Sequence, residues 1–319
     1  MTCPKCTKTV SAAGACGGCG FEVPPHWLTD VQCSMAVTGA RSAGKSIFIG
    51  VMIRHFGQFL ADRHHTFLTP LNDTEDRFLR TYENYLYGEE GIIPPTPPDV
   101  PEPLMWSFTM GGRRFCLSLA DAAGESFERL TPDQNAFAYL GGVDMICSLI
   151  DPLKVSDVRA IVRDTGIPLP AEAGNDLQVL RRVLQARAAH AIPGRVQVLA
   201  LTISKFDVLQ GLKNVDNDRW VSIMGRPGAA MQRDPSYVTQ WDDPQDRLLL
   251  SQELRSLLPV LGAPLIEAAA TESGLPYYLY AVSALGRPPG NDGFSTSGIS
   301  PYRVLDPLKT LLTMKAVQA

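Results

Sequence analysis

The sequence predicts an α/β fold, in which a mostly parallel sheet lies between two layers of helices and follows a small metal-binding ribbon. Three observations predict this fold. Short apolar runs alternate with stretches of helical spacing, as expected of parallel strands joined by crossover helices. Four of these runs end directly in a glycine-containing or polar motif, which is typical of strand ends that bind a ligand. Four of the seven cysteines lie within the first nineteen residues.

The composition is that of an ordinary globular protein. Its 319 residues are 45% hydrophobic and 19% charged, enough to build a large core. No apolar run approaches the roughly 18 residues that a membrane-spanning helix needs, and the start, MTCPKC, lacks the apolar core of a signal peptide. The formal charge is 29 − 33 = −4, so the protein as a whole does not attract nucleic acid or an anionic membrane electrostatically. We therefore expect a cytoplasmic protein without a membrane partner.

The paired cysteines predict a zinc ribbon over residues 1–25. CPKC and CGGC each place two thiols on one tight turn, and in a reducing compartment this spacing favours tetrahedral zinc over disulfides. The alternative, two redox CxxC motifs, lacks a surrounding βαβ pattern. Two lysines balance two carboxylates in residues 1–30, so the ribbon has no basic patch for nucleic acid and is expected to be structural or to dock a protein. The expected ligands are Cys3, Cys6, Cys16 and Cys19.

Residues 39–46, GARSAGKS, match the phosphate-binding pattern GxxxxGK[ST]. The strand pattern of residues 31–38 precedes this loop and a helical pattern follows it. Glycines let backbone N–H groups turn toward an anion, Lys45 supplies charge to the outer phosphates, and the Ser46 hydroxyl can ligate Mg²⁺. We therefore predict a P-loop NTPase three-layer sandwich over residues 31–319. The expected nucleotide contacts in its loop are Gly39, Ala40, Arg41, Ser42, Ala43, Gly44, Lys45 and Ser46.

Three more motifs follow predicted strands. In DAAGE, Asp121 is expected to hold Mg²⁺ and the Gly124 N–H to face a terminal phosphate. In SKFD, the Asp207 carboxylate can accept two hydrogen bonds from guanine, whereas adenine presents the wrong donors. The third motif is SAL, at residues 283–285. Together with the loop, these motifs predict a guanine-nucleotide site.

The four motifs, in this order, resemble those of the GTPase superfamily. The resemblance implies hydrolysis of GTP by Mg²⁺-assisted attack of water, with Lys45, Gly124 and Glu125 at the reacting phosphate. Glu125 stands where many GTPases carry glutamine, so we expect slow turnover without a partner. Ser204 departs from the usual Asn or Thr of the base motif. The implied ligand is GTP or GDP, with its base bound by Ser204, Lys205, Asp207, Ser283, Ala284 and Leu285.

The resemblance also implies a switch threonine that ligates Mg²⁺ in the triphosphate state. Thr96 is 121 − 96 = 25 residues before Asp121, within PPTPP, and this spacing favours it over the other threonines. A polyproline linker is the alternative interpretation. The expected Mg²⁺ ligands are therefore Ser46, Thr96 and Asp121. Arg41 and Arg129 are either internal cationic fingers or solvent-facing side chains.

Two stretches, at about 151–193 and 211–275, exceed a minimal G domain and contain helical patterns. With the cysteine box, DAAGE, SKFD, PPTPP and the closing YRVLDPL, the chain resembles a group of bacterial TRAFAC-class GTPases that carry an N-terminal zinc ribbon. That group is associated with bacterial conflict and anti-phage systems. The resemblance implies a GTP-hydrolysing switch that signals nucleotide state to protein partners in bacterial defence. Two alternatives stay open: a nucleotide-gated scaffold with little hydrolysis, and a nucleic-acid-associated NTPase that uses the ribbon.

Overall fold

The computed structural model describes residues 1–88, 102–122, 124–129, 131, 135–163, 167–169, 174–288 and 298–318. Thr96, the expected switch threonine, lies outside these ranges. No helix in the described part of the chain combines the length and the apolar character needed to cross a membrane.

The first thirty residues form a small ribbon. Two short strands, β1 (Gly14–Ala15) and β2 (Glu22–Val23), pair in antiparallel fashion. Helix α1 (Pro25–Thr29) follows them directly. Pro24 is the N-cap residue of this helix and Pro25 is its first residue. Proline is favoured at the first position because the backbone N–H that it lacks would have no partner in the first turn.

Seven strands of the described residues form one sheet. They are β3 (Val31–Thr38), β4 (Thr69–Pro70), β5 (Leu104–Met110), β6 (Arg113–Asp121), β7 (Met145–Ile150), β8 (Val198–Ile203) and β9 (Tyr277–Ala281). The order is β4-β5-β6-β3-β7-β8-β9. The five strands from β6 to β9 run parallel, and β5 is antiparallel to both of its neighbours at one edge. The predicted mostly parallel α/β sheet is therefore confirmed.

Helices cover both faces of this sheet. They are α2 (Lys45–His64), α3 (Thr74–Phe78), α4 (Asn84–Tyr87), α5 (Gly124–Glu128), α6 (Tyr139–Gly142), α7 (Ser156–Val162), α8 (Asp176–Ala189), α9 (Phe206–Gly211), α10 (Asp218–Met224), α11 (Pro244–Val260), α12 (Pro264–Glu272) and α13 (Asp306–Gln318). A π-helical turn, Leu79–Glu83, joins α3 to α4. Met35 and Val37 of β3 pack with α2 and α13, whereas Ala36 faces the layer that contains α8, α11 and α12. The alternation of side chains along a strand thus builds two separate cores.

The ribbon shares a third apolar cluster with the main sheet. Trp27, Met105 and Cys116 are each at most 1% exposed and belong to this cluster. The Trp27 indole N–H donates to the Thr2 carbonyl at 2.8 Å, so the tryptophan joins the start of the chain to β5 and β6. The ribbon therefore covers part of the sheet that the helices leave open.

A buried arginine holds the start of α13 against α11. Arg303 is 1% exposed, and its guanidinium contacts Asp246 of α11, at 2.7 Å, and Asp306 of α13. It also donates to the carbonyl of Ala230 at 3.0 Å. Because both carboxylates are largely buried, their charges need compensation, and Arg303 is the buried cation that contacts both of them.

Replacing Arg303 with methionine is expected to lower the free energy of unfolding by about 3–5 kcal/mol, because Asp306 loses its arginine partner and Asp246 keeps only the more exposed Arg233. The measurement is a urea titration followed by circular dichroism. The matched control is Arg233→Met, since Arg233 pairs with the same Asp246 but its side chain is 51% exposed, and we expect a loss of under about 1 kcal/mol. Equal effects of the two changes would contradict this account of the cluster.

Candidate functional site

The four N-terminal thiols converge on one point. The Sγ atoms of Cys3 and Cys19 are 3.7 Å apart, as are those of Cys6 and Cys16, and all four lie within 4.8 Å of one another. Sulfurs bound to one zinc at about 2.3 Å in tetrahedral geometry lie about 3.8 Å apart. The Gly18 N–H also donates to the Cys16 sulfur at 3.4 Å. The cluster therefore fits one structural zinc with a complete protein ligand set.

The glycine loop, residues 39–46, connects β3 to α2 where the strand order of the sheet reverses. Gly39 (φ 149°) and Gly44 (φ 88°) adopt backbone conformations that favour glycine. A Cβ atom at Gly39 would lie 3.0 Å from the Leu149 carbonyl, so the loop passes close to the end of β7. Crevices at such reversal points are the usual ligand sites of open α/β sheets.

Lys45 lies under this loop. It is 6% exposed, and its ammonium donates to the carbonyls of Gly39 at 3.1 Å and Ala40 at 3.3 Å. Burial lowers the pKa of Lys45 to about 8, although the nearby Asp121 carboxylate opposes this change. A buried cation at the turn of the loop makes that end attractive to an anion.

Asp121, at the end of β6, lies beside the start of α2. One of its carboxylate oxygens accepts from the Tyr82 hydroxyl at 2.9 Å and from the Ser46 hydroxyl at 3.3 Å. The other oxygen, Oδ1, is buried and has no hydrogen-bond partner among the described residues. Burial raises the pKa of Asp121, while Lys45 and these hydroxyls oppose the shift. A buried carboxylate oxygen without a partner is an available ligand for a hard cation.

An apolar pocket of about 270 Å³ opens next to the loop. Ser42, Ala43 and Gly44 form one wall, and the SKFD and SAL segments form another. Burial raises the pKa of Asp207, although a hydrogen bond from Ser283 opposes it. Ala284 and Leu285 line the opening. A mostly apolar cavity with one half-buried carboxylate has the chemistry of a site for a flat heterocycle.

Lys205 connects this pocket to the loop. Its ammonium donates to the Asp151 carboxylate at 2.6 Å and to the Ser42 carbonyl at 2.9 Å. Lys205 is the N-cap residue of α9, and its backbone is left-handed (φ 50°). This backbone conformation is costly for a residue other than glycine. On the other side, the Ser204 hydroxyl donates to the Ile150 carbonyl at 3.2 Å. SKFD is thus held by the end of β7 and by the loop itself.

Helix α5 closes the other end of the loop. A Cβ atom at Gly124 would lie 2.6 Å from the Arg41 backbone nitrogen, so only glycine fits there. The Arg41 guanidinium lies 2.8 Å from the Glu125 carboxylate, and the Arg41 backbone N–H donates to the Glu128 carboxylate at 2.9 Å. Arg129 is exposed. The loop and α5 are therefore joined at Arg41.

The structure brings the loop, Asp121, α5, SKFD and SAL around one crevice, and it adds residues that the sequence did not indicate. Tyr82 and Glu128 reach the crevice from α3–α4 and α5. Asp151 and the buried pair of Lys154 and Asp176, 2.7 Å apart, reach it from the segment after β7. No pattern marks these residues because their neighbours in space are far away in sequence.

No family model matches the sequence. The chain is 36% identical over 312 residues to the "Putative ESX-1 scaffolding and assembly protein SaeC" of Mycolicibacterium smegmatis. The match covers 93% of this chain and 79% of the relative, so it extends over most of both proteins.

This relative corrects the functional interpretation of the sequence. The assignments as a TRAFAC-class GTPase, a hydrolase and a bacterial defence protein are wrong, because the relative that matches nearly the whole chain is named for scaffolding and assembly. The physical reason is that loop and strand-end motifs determine local geometry, whereas the function of a protein with such a fold depends on its particular site and partners. This match shows that the chain belongs to the family of the ESX-1 scaffolding and assembly protein SaeC.

Proposed function

We propose that this protein is a scaffold that helps to assemble a protein complex, and that a nucleotide bound in the crevice controls when it engages its partners. The name of the relative assigns ESX-1 scaffolding and assembly to that protein, which supports the same kind of role and protein partners here. The nucleotide control rests on one observation: the glycine loop and the Asp207 pocket share a wall at Ser42 and Gly44.

In this proposal the guanine base occupies the apolar pocket and its phosphates extend along the loop. The Asp207 carboxylate accepts from the ring and exocyclic nitrogens of guanine, while Lys205 and the SAL segment position the base. Lys45 and the backbone N–H groups at the start of α2 bind the phosphates. The shared wall supports this placement because one ligand can reach both the pocket and the loop.

Mg²⁺ is the proposed companion of the phosphates. The unpaired, buried Oδ1 of Asp121 and the hydroxyl of Ser46 lie on the same side of the loop, and oxygen ligands of this kind suit Mg²⁺. Thr96 remains the proposed third ligand, on its sequence spacing alone. Bound Mg²⁺ would offset the negative charge that phosphates bring next to Asp121.

Control by occupancy, rather than by hydrolysis, is the better supported mechanism. Glu125, the residue that sequence reasoning placed near an attacking water, forms an ion pair with Arg41 at 2.8 Å. In this ion pair the carboxylate is directed at the guanidinium and not at a position where it would orient a water molecule. Nucleotide binding therefore acts in this proposal as a conformational signal to the partners.

A calorimetric titration of the wild type and Asp207→Asn tests the ligand. We expect the wild type to bind GDP and a non-hydrolysable GTP analogue and to ignore the ATP analogue. Asp207→Asn should lose at least about 100-fold in affinity for guanine nucleotides and gain affinity for XTP, because the base hydrogen bonds are reversed. The matched control is Asp218→Asn, an exposed aspartate at the start of α10, which should bind as the wild type does.

Equal binding of ATP and GTP, unaltered in Asp207→Asn, would contradict the guanine assignment. Chemical cross-linking in cell extract tests the scaffold role. Partners captured by the wild type should change with guanine nucleotide, whereas those captured by Asp207→Asn should change with XTP. A cross-linked set that is the same under every nucleotide condition would exclude the proposed control.

A further inference from the structure

The outer end of the glycine loop carries a carboxylate of the chain itself. We propose that Glu128 is a built-in competitor of the terminal phosphate, so that the site favours a diphosphate until a triphosphate displaces Glu128. This inference rests on the proposed nucleotide binding and specifies how the same site is regulated. The observations that carry it are the hydrogen bond from the Arg41 N–H to Glu128 and the close approach of Gly174 to the same carboxylate.

The direction of the bound ligand follows from the two ends of the loop. The base pocket touches the loop at Ser42, Ala43 and Gly44, so the phosphates must extend away from these residues. At the other end, the ammonium of Lys45 lies against Gly39 and Ala40, and the lysine of such loops reaches the outer phosphates. Arg41 directly follows Ala40. Its N–H therefore faces the position of the last phosphate.

Glu128 occupies that position with a negative charge. Its Oε1 accepts from the Arg41 N–H at 2.9 Å. Glu128 thus makes a contact that a terminal phosphate oxygen makes in such a loop, with a backbone N–H. It does so at the end of the loop where the Lys45 ammonium lies against Gly39 and Ala40.

The chain also leaves room for this carboxylate. A Cβ atom at Gly174, just before α8, would lie 2.0 Å from Glu128 Oε1 and 3.0 Å from the Ala40 Cβ. Glu128 therefore lies in a slot between the loop and the start of α8, which glycine keeps open. Displacing the carboxylate would remove its contacts with the loop and with the start of α8 at once. That loss of contacts is a physical route from the third phosphate to the protein surface.

Binding measurements on Glu128→Gln test the competition. Glutamine keeps the shape and can still accept from the Arg41 N–H, but it has no charge to repel a phosphate. We expect the affinity for the non-hydrolysable GTP analogue to rise about ten-fold, from the loss of one repulsion at close range. The affinity for GDP should stay within about two-fold, since its phosphates end before Arg41.

The matched control is Glu272→Gln, the same change of charge at an exposed residue at the end of α12, which should alter neither affinity. A second variant, Gly174→Ala, keeps Glu128 but closes its slot, and it should raise the preference for the triphosphate in the same direction. Gly174→Ala also tests the competition if the Glu128→Gln protein does not fold. Hydrogen exchange of residues 124–128 should increase with the triphosphate analogue and not with GDP.

The outcomes separate this inference from the proposed function. If both nucleotides bind and neither variant alters their ratio, Glu128 is not a competitor, and the nucleotide-binding proposal stands. If no nucleotide binds to the wild type or to any variant, the proposed function fails, and this inference fails with it. A raised triphosphate affinity in both variants, with unchanged GDP affinity, supports it.

Discussion

Loss of zinc is expected to unfold the ribbon and to destabilise the sheet beneath it. In Cys16→Ala, one of four converging thiols is removed, so bound zinc should fall from one per chain to almost none. Structural zinc contributes apparent free energies of about 10–16 kcal/mol to small ribbons, and the ribbon has little core of its own. Because Trp27 and Met105 would lose their cover, we expect the remaining fold to lose about 3–5 kcal/mol of stability.

Zinc content by elemental analysis and urea unfolding with and without a chelator measure both effects. The control is Cys116→Ala, because Cys116 belongs to the same apolar cluster but not to the four thiols. This variant should keep its zinc and lose only about 1 kcal/mol. A Cys16→Ala protein with a full complement of zinc would contradict the ligand assignment. Hydrogen exchange in residues 1–30 should rise only in Cys16→Ala.

Replacement of Lys45 with methionine should abolish nucleotide binding and yet stabilise the fold. Loss of the ammonium removes the main charge of the loop, and we expect affinity for either guanine nucleotide to fall by at least about 100-fold. Burial lowers the pKa of Lys45 to about 8 from 10.5, so the charged form is disfavoured in the folded state. At pH 7 the variant should therefore gain about 1–3 kcal/mol in free energy of unfolding.

Calorimetric titration and urea unfolding give the two readouts, and Lys213→Met, at an exposed lysine, is the control for both. The stability gain should shrink as pH rises from 8 toward 10.5. In that interval the wild-type protein already holds Lys45 neutral when folded, whereas the unfolded chain still binds the proton. A variant that loses both binding and stability would show that Lys45 supports the fold rather than the ligand.

Local patterns in the sequence predicted the architecture well. The run at 31–38 and the glycine loop correctly placed β3, the turn and the start of α2, because periodicity and glycine chemistry are properties of neighbouring residues. The cysteine pairs likewise predicted one cluster, since four thiols on two short turns have few other partners. The same reasoning did not indicate the helical segment 74–87, in which the π-helical turn between α3 and α4 places Tyr82 against Asp121.

Function was the weakest part of the prediction. The motifs favoured a hydrolase, and the relative showed a family named for scaffolding and assembly. Hydrolysis requires a water held between a base and the terminal phosphate. No sequence motif reveals that Glu125 is paired with Arg41.

The sequence by itself therefore determined the alternation of parallel strands and helices, the four-thiol cluster and the glycine loop. These features depend on residues close together in the chain. Only the tertiary structure decided that Glu128 and Gly174 meet at the loop, that Tyr82 contacts Asp121, and that the ribbon covers Met105 and Cys116. Such contacts depend on the order in which strands join the sheet, and that order is set by packing over the whole chain.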